Sequence, residues 1–203
     1  MNKERGFTLV ELLIVIVVIG ILAAMMMFSS TEAVTSAKAS NIISNLTNLK
    51  KATLSWYADH KRSVRTQQNE GNTYRIYDVD GNASQSDNFE GFTRKGHSSE
   101  IVKYMNNSSS IKTTNNSDGS IKKSEYAFGQ ADGEKKKANI WYVGYRFSDG
   151  EERVKEKIAG RAKSLGLIGG GTGEKWDNSR PTKNKTFTAD DNIVWLHVIT
   201  LGE

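Results

Sequence analysis

The chain has 203 residues, 37% of them hydrophobic and 25% charged, with a formal net charge of +5 and no cysteine. That length and apolar content suffice for one globular domain beside a hydrophobic segment and are short for two. The absence of thiols excludes disulfides, cysteine nucleophiles and Cys-ligated metal centres, and so mild a charge makes no strong electrostatic case for a polyanionic partner.

The first six residues, Met1-Asn2-Lys3-Glu4-Arg5-Gly6, are polar and net basic. They run into a block that is apolar from Phe7 to Phe28 apart from Glu11. At about 1.5 Å per residue this block forms a helix of roughly 33 Å, close to the ~30 Å hydrocarbon core of a bilayer. Positive charge before a span favours the cytoplasmic side, so the amino end is expected inside and everything after Phe28 outside. Glu11 breaks the pattern. A carboxylate at this depth costs about 2.5–3.5 kcal/mol even on lenient insertion scales, so it calls for a partner. A secretory signal would also have a basic start and small residues such as Ala23-Ala24 at a cleavage point, but its apolar core is usually shorter. A plain anchor leaves Glu11 unexplained, and a soluble core helix would not be apolar on all faces.

The run Gly6-Phe7-Thr8-Leu9-Val10-Glu11, with the short basic leader before it and the apolar span after it, resembles the processing site of type IV prepilins and the related pseudopilins. The resemblance implies cleavage between Gly6 and Phe7 by a prepilin peptidase, which then methylates the new Phe7 amine. It also implies that Glu11 serves assembly, its carboxylate facing the Phe7 amine of a neighbouring subunit in a fibre built helix against helix. A methylated amine stays cationic, and an opposite charge offsets desolvation in an apolar core. Further partners implied are an inner-membrane assembly platform and, before assembly, the lipid bilayer. Relatives often carry a Pro where Phe28 stands, so this helix is expected to run on without that break. The missing cysteines also depart from the many pilins closed by a C-terminal disulfide.

Beyond Phe28, Ala39, Ile42, Leu46, Leu49, Thr53 and Trp56 recur at steps of three and four, while Ser36, Ser40, Ser44, Thr47, Lys51 and Ser55 line another face. This predicts one helix from Phe7 to about His60, on the order of 80 Å long, whose second half offers a stripe for a sheet to pack on. Trp56 and Tyr57 read as core aromatics. The expected organisation is a leader over 1–6, a membrane or fibre-core helix over 7–28, its amphipathic continuation over 29–61 and a β-rich head over 62–203. In fold class this is α+β, a long helix on a small antiparallel sheet.

Within the head, Tyr74 to Val79 alternates and meets a turn at Asp80-Gly81, and Asp118-Gly119, Asp132-Gly133 and Asp149-Gly150 repeat the turn signal. Asn106 to Ser120 is rich in Ser, Asn and Thr and reads as an exposed loop. Ile140 to Phe147 reads as the central strand. Glu151-Glu152 open a helix with Val154, Ile158, Ala162 and Leu165 on one face and Gly166 at its end. Asn192 to Leu201 is a strand apolar on both faces, with Ile193, Trp195, His197, Ile199 and Leu201 alternating with Val194, Leu196, Val198 and Thr200.

No catalytic constellation stands out, and no enzymatic activity is expected. His60, His97 and His197 are scattered and read as packed or surface residues. Gly169 to Gly173 fails as a phosphate loop because Glu174 and Trp176 flank Lys175, and reads as a flexible loop. Asp78, Asp80 and Asn82 lack the spacing and closing Glu of a calcium loop. Asp190 and Asp191 are weak calcium candidates, in view of the C-terminal calcium site of major pseudopilins; no other cofactor is expected. Loss of Lys3, Glu4 and Arg5 removes +1, leaving +4. Lys135-Lys136-Lys137 and Arg180, Lys183 and Lys185 could meet DNA phosphates, but no base-reading motif accompanies them and solvated loop lysines are the expectation. The function so read is a structural subunit of a type IV pilus or pilus-like fibre. The alternatives are a type II secretion pseudopilin and a membrane-anchored DNA-binding minor pilin.

Overall fold

The computed structural model of the chain describes residues 7–60, 75–78, 97–106, 111, 125–131, 140–170 and 181–200. One helix, α1 (Leu9–His60), runs for 52 residues, about 78 Å, and is continuous through the Phe28-to-Thr31 segment. Thr31 and Thr35 there donate their hydroxyls to the carbonyls of Met27 and Thr31, 3.1 and 2.9 Å away, so these side chains find their partners within the helix. After it come β1 (Arg75–Asp78), α2 (His97–Val102), β2 (Tyr126–Ala131), β3 (Ile140–Arg146), α3 (Glu152–Leu165), β4 (Leu167–Gly170), β5 (Pro181–Thr186) and β6 (Ile193–Thr200). The strands form an antiparallel sheet in the order β1-β2-β3-β6-β4-β5, so β3 is central as its aromatic, β-branched composition predicts.

The amphipathic half of α1 presents the stripe its periodicity predicts: Ala39, Ile42, Leu46, Leu49, Thr53 and Trp56 are all buried. They pack on the inner face of the sheet, formed by Phe128, Trp141, Val143, Tyr145, Val194, Leu196 and Val198, with α3 closing the side through Val154, Ile158 and Ala162. Each large apolar side chain moved out of water here stabilises the fold by about 1.5–3 kcal/mol. At its distal end α1 holds α2, where Trp56 Nε1 donates to Glu100 Oε2 at 3.2 Å and the Tyr104 hydroxyl to Asp59 Oδ2 at 2.8 Å. Gly166 ends α3 in the left-handed conformation at φ 64°, its N–H returning to Ala162 and Lys163 carbonyls as a helix cap.

The outer face of the sheet carries Ala127, Tyr142, Ile193 and Trp195, also buried. The Trp195 ring lies flat across β2 and β3, and glycines make room for it. A Cβ on Gly144 would stand 2.5 Å from Trp195 Cε3, and one on Gly129 3.0 Å from Cζ3. Gly144→Ala is therefore expected to destabilise the head by about 1–3 kcal/mol through overpacking, measured as a fall in the thermal midpoint of the full chain in detergent. An unchanged midpoint would show that the ring shifts freely.

Several expectations need correcting. Gly169 and Gly170 belong to β4 and not to a flexible loop, because they pair with Val194 and Ile193 of β6, and Gly169 is small because the Asp191 carboxylate stands where its Cβ would be; Gly171 to Gly173 lie outside the described residues. In the tract read as an exposed loop, Ile111 is buried in the core beneath α1 and the sheet. Strict alternation in β6 fails at its end, where Trp141 pairs with Ile199 and Tyr142 with His197. Val198 is the extra residue of a bulge, and Ile199 joins it against the inner core. The turns at Asp80, Asp118 and Asp132 lie outside the described residues; that at Asp149-Gly150 is present, with Gly150 at φ 83°.

Candidate functional site

Gly6 lies outside the described residues, and Phe7 stands just before α1, 82% exposed. The first turn of the helix is closed by a reciprocal cap. The Thr8 N–H and the Thr8 hydroxyl both donate to Glu11 Oε2 at 2.8 Å, and the Glu11 N–H donates to Thr8 Oγ1 at 3.2 Å. This is the capping box of a Thr-x-x-Glu sequence, and it satisfies two helix-terminal N–H groups that a bilayer cannot hydrogen-bond. Both Thr8 donors land on Oε2, which leaves Oε1 open to a cation from outside the helix. The Thr8-Leu9-Val10-Glu11 spacing signals this cap, and reading Glu11 only as a charge in lipid misses it.

From Leu9 to Met27 every side chain of α1 is exposed, although the stretch is apolar on all faces and has a mean hydropathy of 3.0 in its most apolar window. The head touches none of it. So much exposed apolar surface demands lipid or other helices around it.

The head grips α1 just beyond that stretch. Lys38 Nζ pairs with Glu151 Oε1 at 2.5 Å and Lys157 with Glu32, joining α1 to α3. Glu151 is buried and also accepts from the Ser148 N–H at 2.6 Å. The Tyr145 hydroxyl lies 3.1 Å from both Glu151 Oε1 and Glu125 Oε2, and Asn45 donates from α1 to the Tyr126 hydroxyl at 3.0 Å. Burial pushes Tyr126 up from 10.0 to about 12, against the Asn45 hydrogen bond and with the Glu125 and Glu151 charges. Tyr145 is raised likewise, by burial first and then by the same carboxylates.

These shifts set a pH limit on the grip. The fold favours the neutral phenols, so the stability Tyr126 confers is complete below pH 10.0 and is lost as pH rises through about 12, where the unfolded chain has already ionised. The full chain in detergent is expected to lose of order 2 kcal/mol across that window, seen as a falling thermal midpoint, and Tyr126→Phe should flatten the fall. A midpoint indifferent to both would show that these hydroxyls are not held.

The remaining candidates separate. Asp190 is exposed in the turn between β5 and β6, while Asp191 is buried beneath it. The Asp191 carboxylate pairs with Lys185 and accepts from the Thr188 N–H at 2.9 Å and the Thr188 hydroxyl at 3.1 Å, so its partners come from β5 and from the turn that follows it. Lys185 is thus a strand residue in an ion pair and not a solvated loop lysine; Lys135, Lys136, Lys137 and Arg180 lie outside the described residues, as does the side chain of Lys183. His60 stacks on Trp56 with ring centroids 4.8 Å apart, and the half-buried His197 contacts Thr200 Oγ1 at 2.9 Å, with burial lowering its pKa. Among the described residues no three His, Asp or Glu side chains gather as a metal site would require.

What the chain presents is an exposed apolar rod with a capped, acid-bearing tip and a head clamped to its far half. This is the architecture of a head carried on an amino-terminal helix. Residues 1–27 match the family model of the prokaryotic N-terminal methylation motif, the prepilin-type signal of type IV pilins and pseudopilins. The match covers the leader and the apolar half of α1, and the head lies beyond it. No curated protein and no solved structure matches the chain.

Proposed function

We propose that the chain is a non-enzymatic structural subunit of a type IV pilus or pilus-like fibre. The observation that carries this reading is the coincidence of the methylation motif with an apolar helix exposed all round and continuous into the helix that bears the head. A prepilin peptidase would remove residues 1–6 and methylate the Phe7 amine. The subunit would wait in the inner membrane as a single-pass protein, amino end in the cytoplasm, and leave it as α1 packs against the α1 helices of other subunits. The open Oε1 of Glu11 is where a neighbour's Phe7 amine would sit. Adhesion, motility or secretion would then be properties of the fibre.

The test is a deletion strain imaged for surface fibres, with the sheared fraction probed for this chain. Loss of fibres on deletion, or the chain within them, supports the reading. Intact fibres that lack the chain count against it. Failure of secretion without loss of surface fibres would favour the type II secretion pseudopilin, which carries the same motif. For the DNA-binding minor pilin the discriminating measurement is duplex binding by the detergent-solubilised chain. We expect none of note at physiological salt, whereas tight binding that weakens steeply with salt and eases on neutralising Lys135, Lys136 and Lys137 would overturn that expectation.

A further inference from the structure

The two ion pairs that clamp the head also fix its height over the bilayer. Glu151 and Lys157, six residues apart, meet Lys38 and Glu32, also six residues apart and in the opposite order. Helix α3 therefore runs down α1 antiparallel, toward the apolar segment. Glu32 stands four residues, about 6 Å along the axis, beyond Phe28, where the apolar run ends. Continuing the same one-to-one step, residue 161 falls about level with residue 28. The headgroup layer is roughly 5–7 Å deep on each side of the hydrocarbon, so the last two turns of α3 straddle its inner edge when the apolar half of α1 spans a bilayer, with residue 161 at that edge and Lys163 about 3 Å below it, within reach of the headgroups through its four-carbon stem.

The charge on those turns is one-sided. Helix α3 carries Arg153, Lys155, Lys157, Arg161 and Lys163 against Glu152 and Glu156. Of the upper charges, Glu152 accepts from the Gly150 N–H at 3.3 Å and Lys155 donates to Asn192 at 2.7 Å, while Arg153 lies within a turn of both Glu152 and Glu156 along the helix. Lys157 is neutralised by Glu32. Arg161 and Lys163, on either flank of the buried Ala162, are exposed and paired with no carboxylate among the described residues. Glu156 is the nearest acid on the helix, more than a turn above Arg161 and almost two above Lys163.

We infer that the C-terminal half of α3 is a membrane-surface contact, with Arg161 and Lys163 seated among anionic lipid headgroups while the subunit awaits assembly. It rests on the reading that α1 spans a bilayer. The contact holds the head down on the membrane in one orientation about α1, and leaving the bilayer for a fibre requires giving it up.

Because the chain has no cysteine, single nitroxide labels can be placed without background. The full chain is reconstituted in nanodiscs of phosphatidylcholine alone or mixed with phosphatidylglycerol, labelled at Ser164→Cys beside the two cations, at Ser55→Cys on the exposed distal face of α1, or at Leu22→Cys in the apolar segment. The expected result is that the Ser164 label loses access to a water-soluble relaxant only in the anionic discs, and regains it at high salt, while the Ser55 label stays accessible in both. Removing each cation should weaken the docked state about five-fold, so Arg161→Ala with Lys163→Ala abolishes the lipid dependence, and Arg161→Lys with Lys163→Arg keeps it. Equal access at Ser164 in both lipids, or a lipid effect that survives neutralisation, overturns the inference, and points to a neighbouring subunit if access is lost only in fibres. A Leu22 label open to water would overturn the bilayer reading itself, and with it this one.

Discussion

The mature chain should weigh less than its translation product by residues 1–6 and more by one methyl group, and replacing Gly6 with a bulky residue should leave uncut precursor in the membrane as the main species. The competing cut, after Ala23 or Ala24, makes a different molecule. It would fall within an unbroken helix that continues through both alanines to His60, and it would discard the exposed apolar rod while sparing the head, whose core draws on α1 from Ala39 onward. The product would be a soluble protein without an anchor. Intact-mass measurement separates the two outcomes by roughly seventeen residues. A methylated amino-terminal Phe7 is what the motif over residues 1–27 implies; an amino terminus near residue 24 would end the fibre reading.

The parts of this fold that can be read from sequence are those in which one chemical pattern dominates. The stripe from Ala39 to Trp56 keeps helical period for five turns, β3 is aromatic or β-branched at all positions but Gly144 and Arg146, and Val154, Ile158 and Ala162 with Gly166 describe α3 from end to end. Strands β2, β4 and β5 are hidden because tertiary neighbours decide their residues. Ala127 and Gly129 are small since Trp195 lies over their face, and Gly169 is small since Asp191 does. In a linear reading such positions look like loop. Strand β5, an edge strand whose first residue is the chain's only proline, has no apolar alternation to show. At the amino-terminal site the charge and the motif residues are evident in order, but the cap is overlooked when Glu11 is considered one residue at a time. Its spacing from Thr8 is informative only when the helix start is placed between them.

On the fibre reading Glu11 has two tasks, and substitutions can divide them. As the N3 residue of a capping box it holds the Thr8 N–H and hydroxyl, a contribution of about 1 kcal/mol. As a charge in lipid it costs about 2.5–3.5 kcal/mol until it meets a cation. The second figure is the larger, so Glu11→Ala should insert in the membrane as well as the natural chain or better, and processing should continue. Fibre yield should collapse, because the neighbour's Phe7 amine is then buried without its counter-charge, at about 3–5 kcal/mol per subunit. Glu11→Gln is the decisive variant. Gln serves a capping box as Glu does, so it retains the helix start and loses only the charge. If the carboxylate works by pairing, Glu11→Gln assembles as poorly as Glu11→Ala, and Glu11→Asp, charged but shorter in reach, lies between them and the natural chain. If the cap is what matters, Glu11→Gln restores fibres. The quantity to compare is sheared extracellular fibre relative to membrane-held subunit, with the chain expressed as the main subunit so that another pilin cannot mask the loss. Normal yield from both Glu11→Ala and Glu11→Gln would remove Glu11 from assembly altogether and return the motif to processing alone.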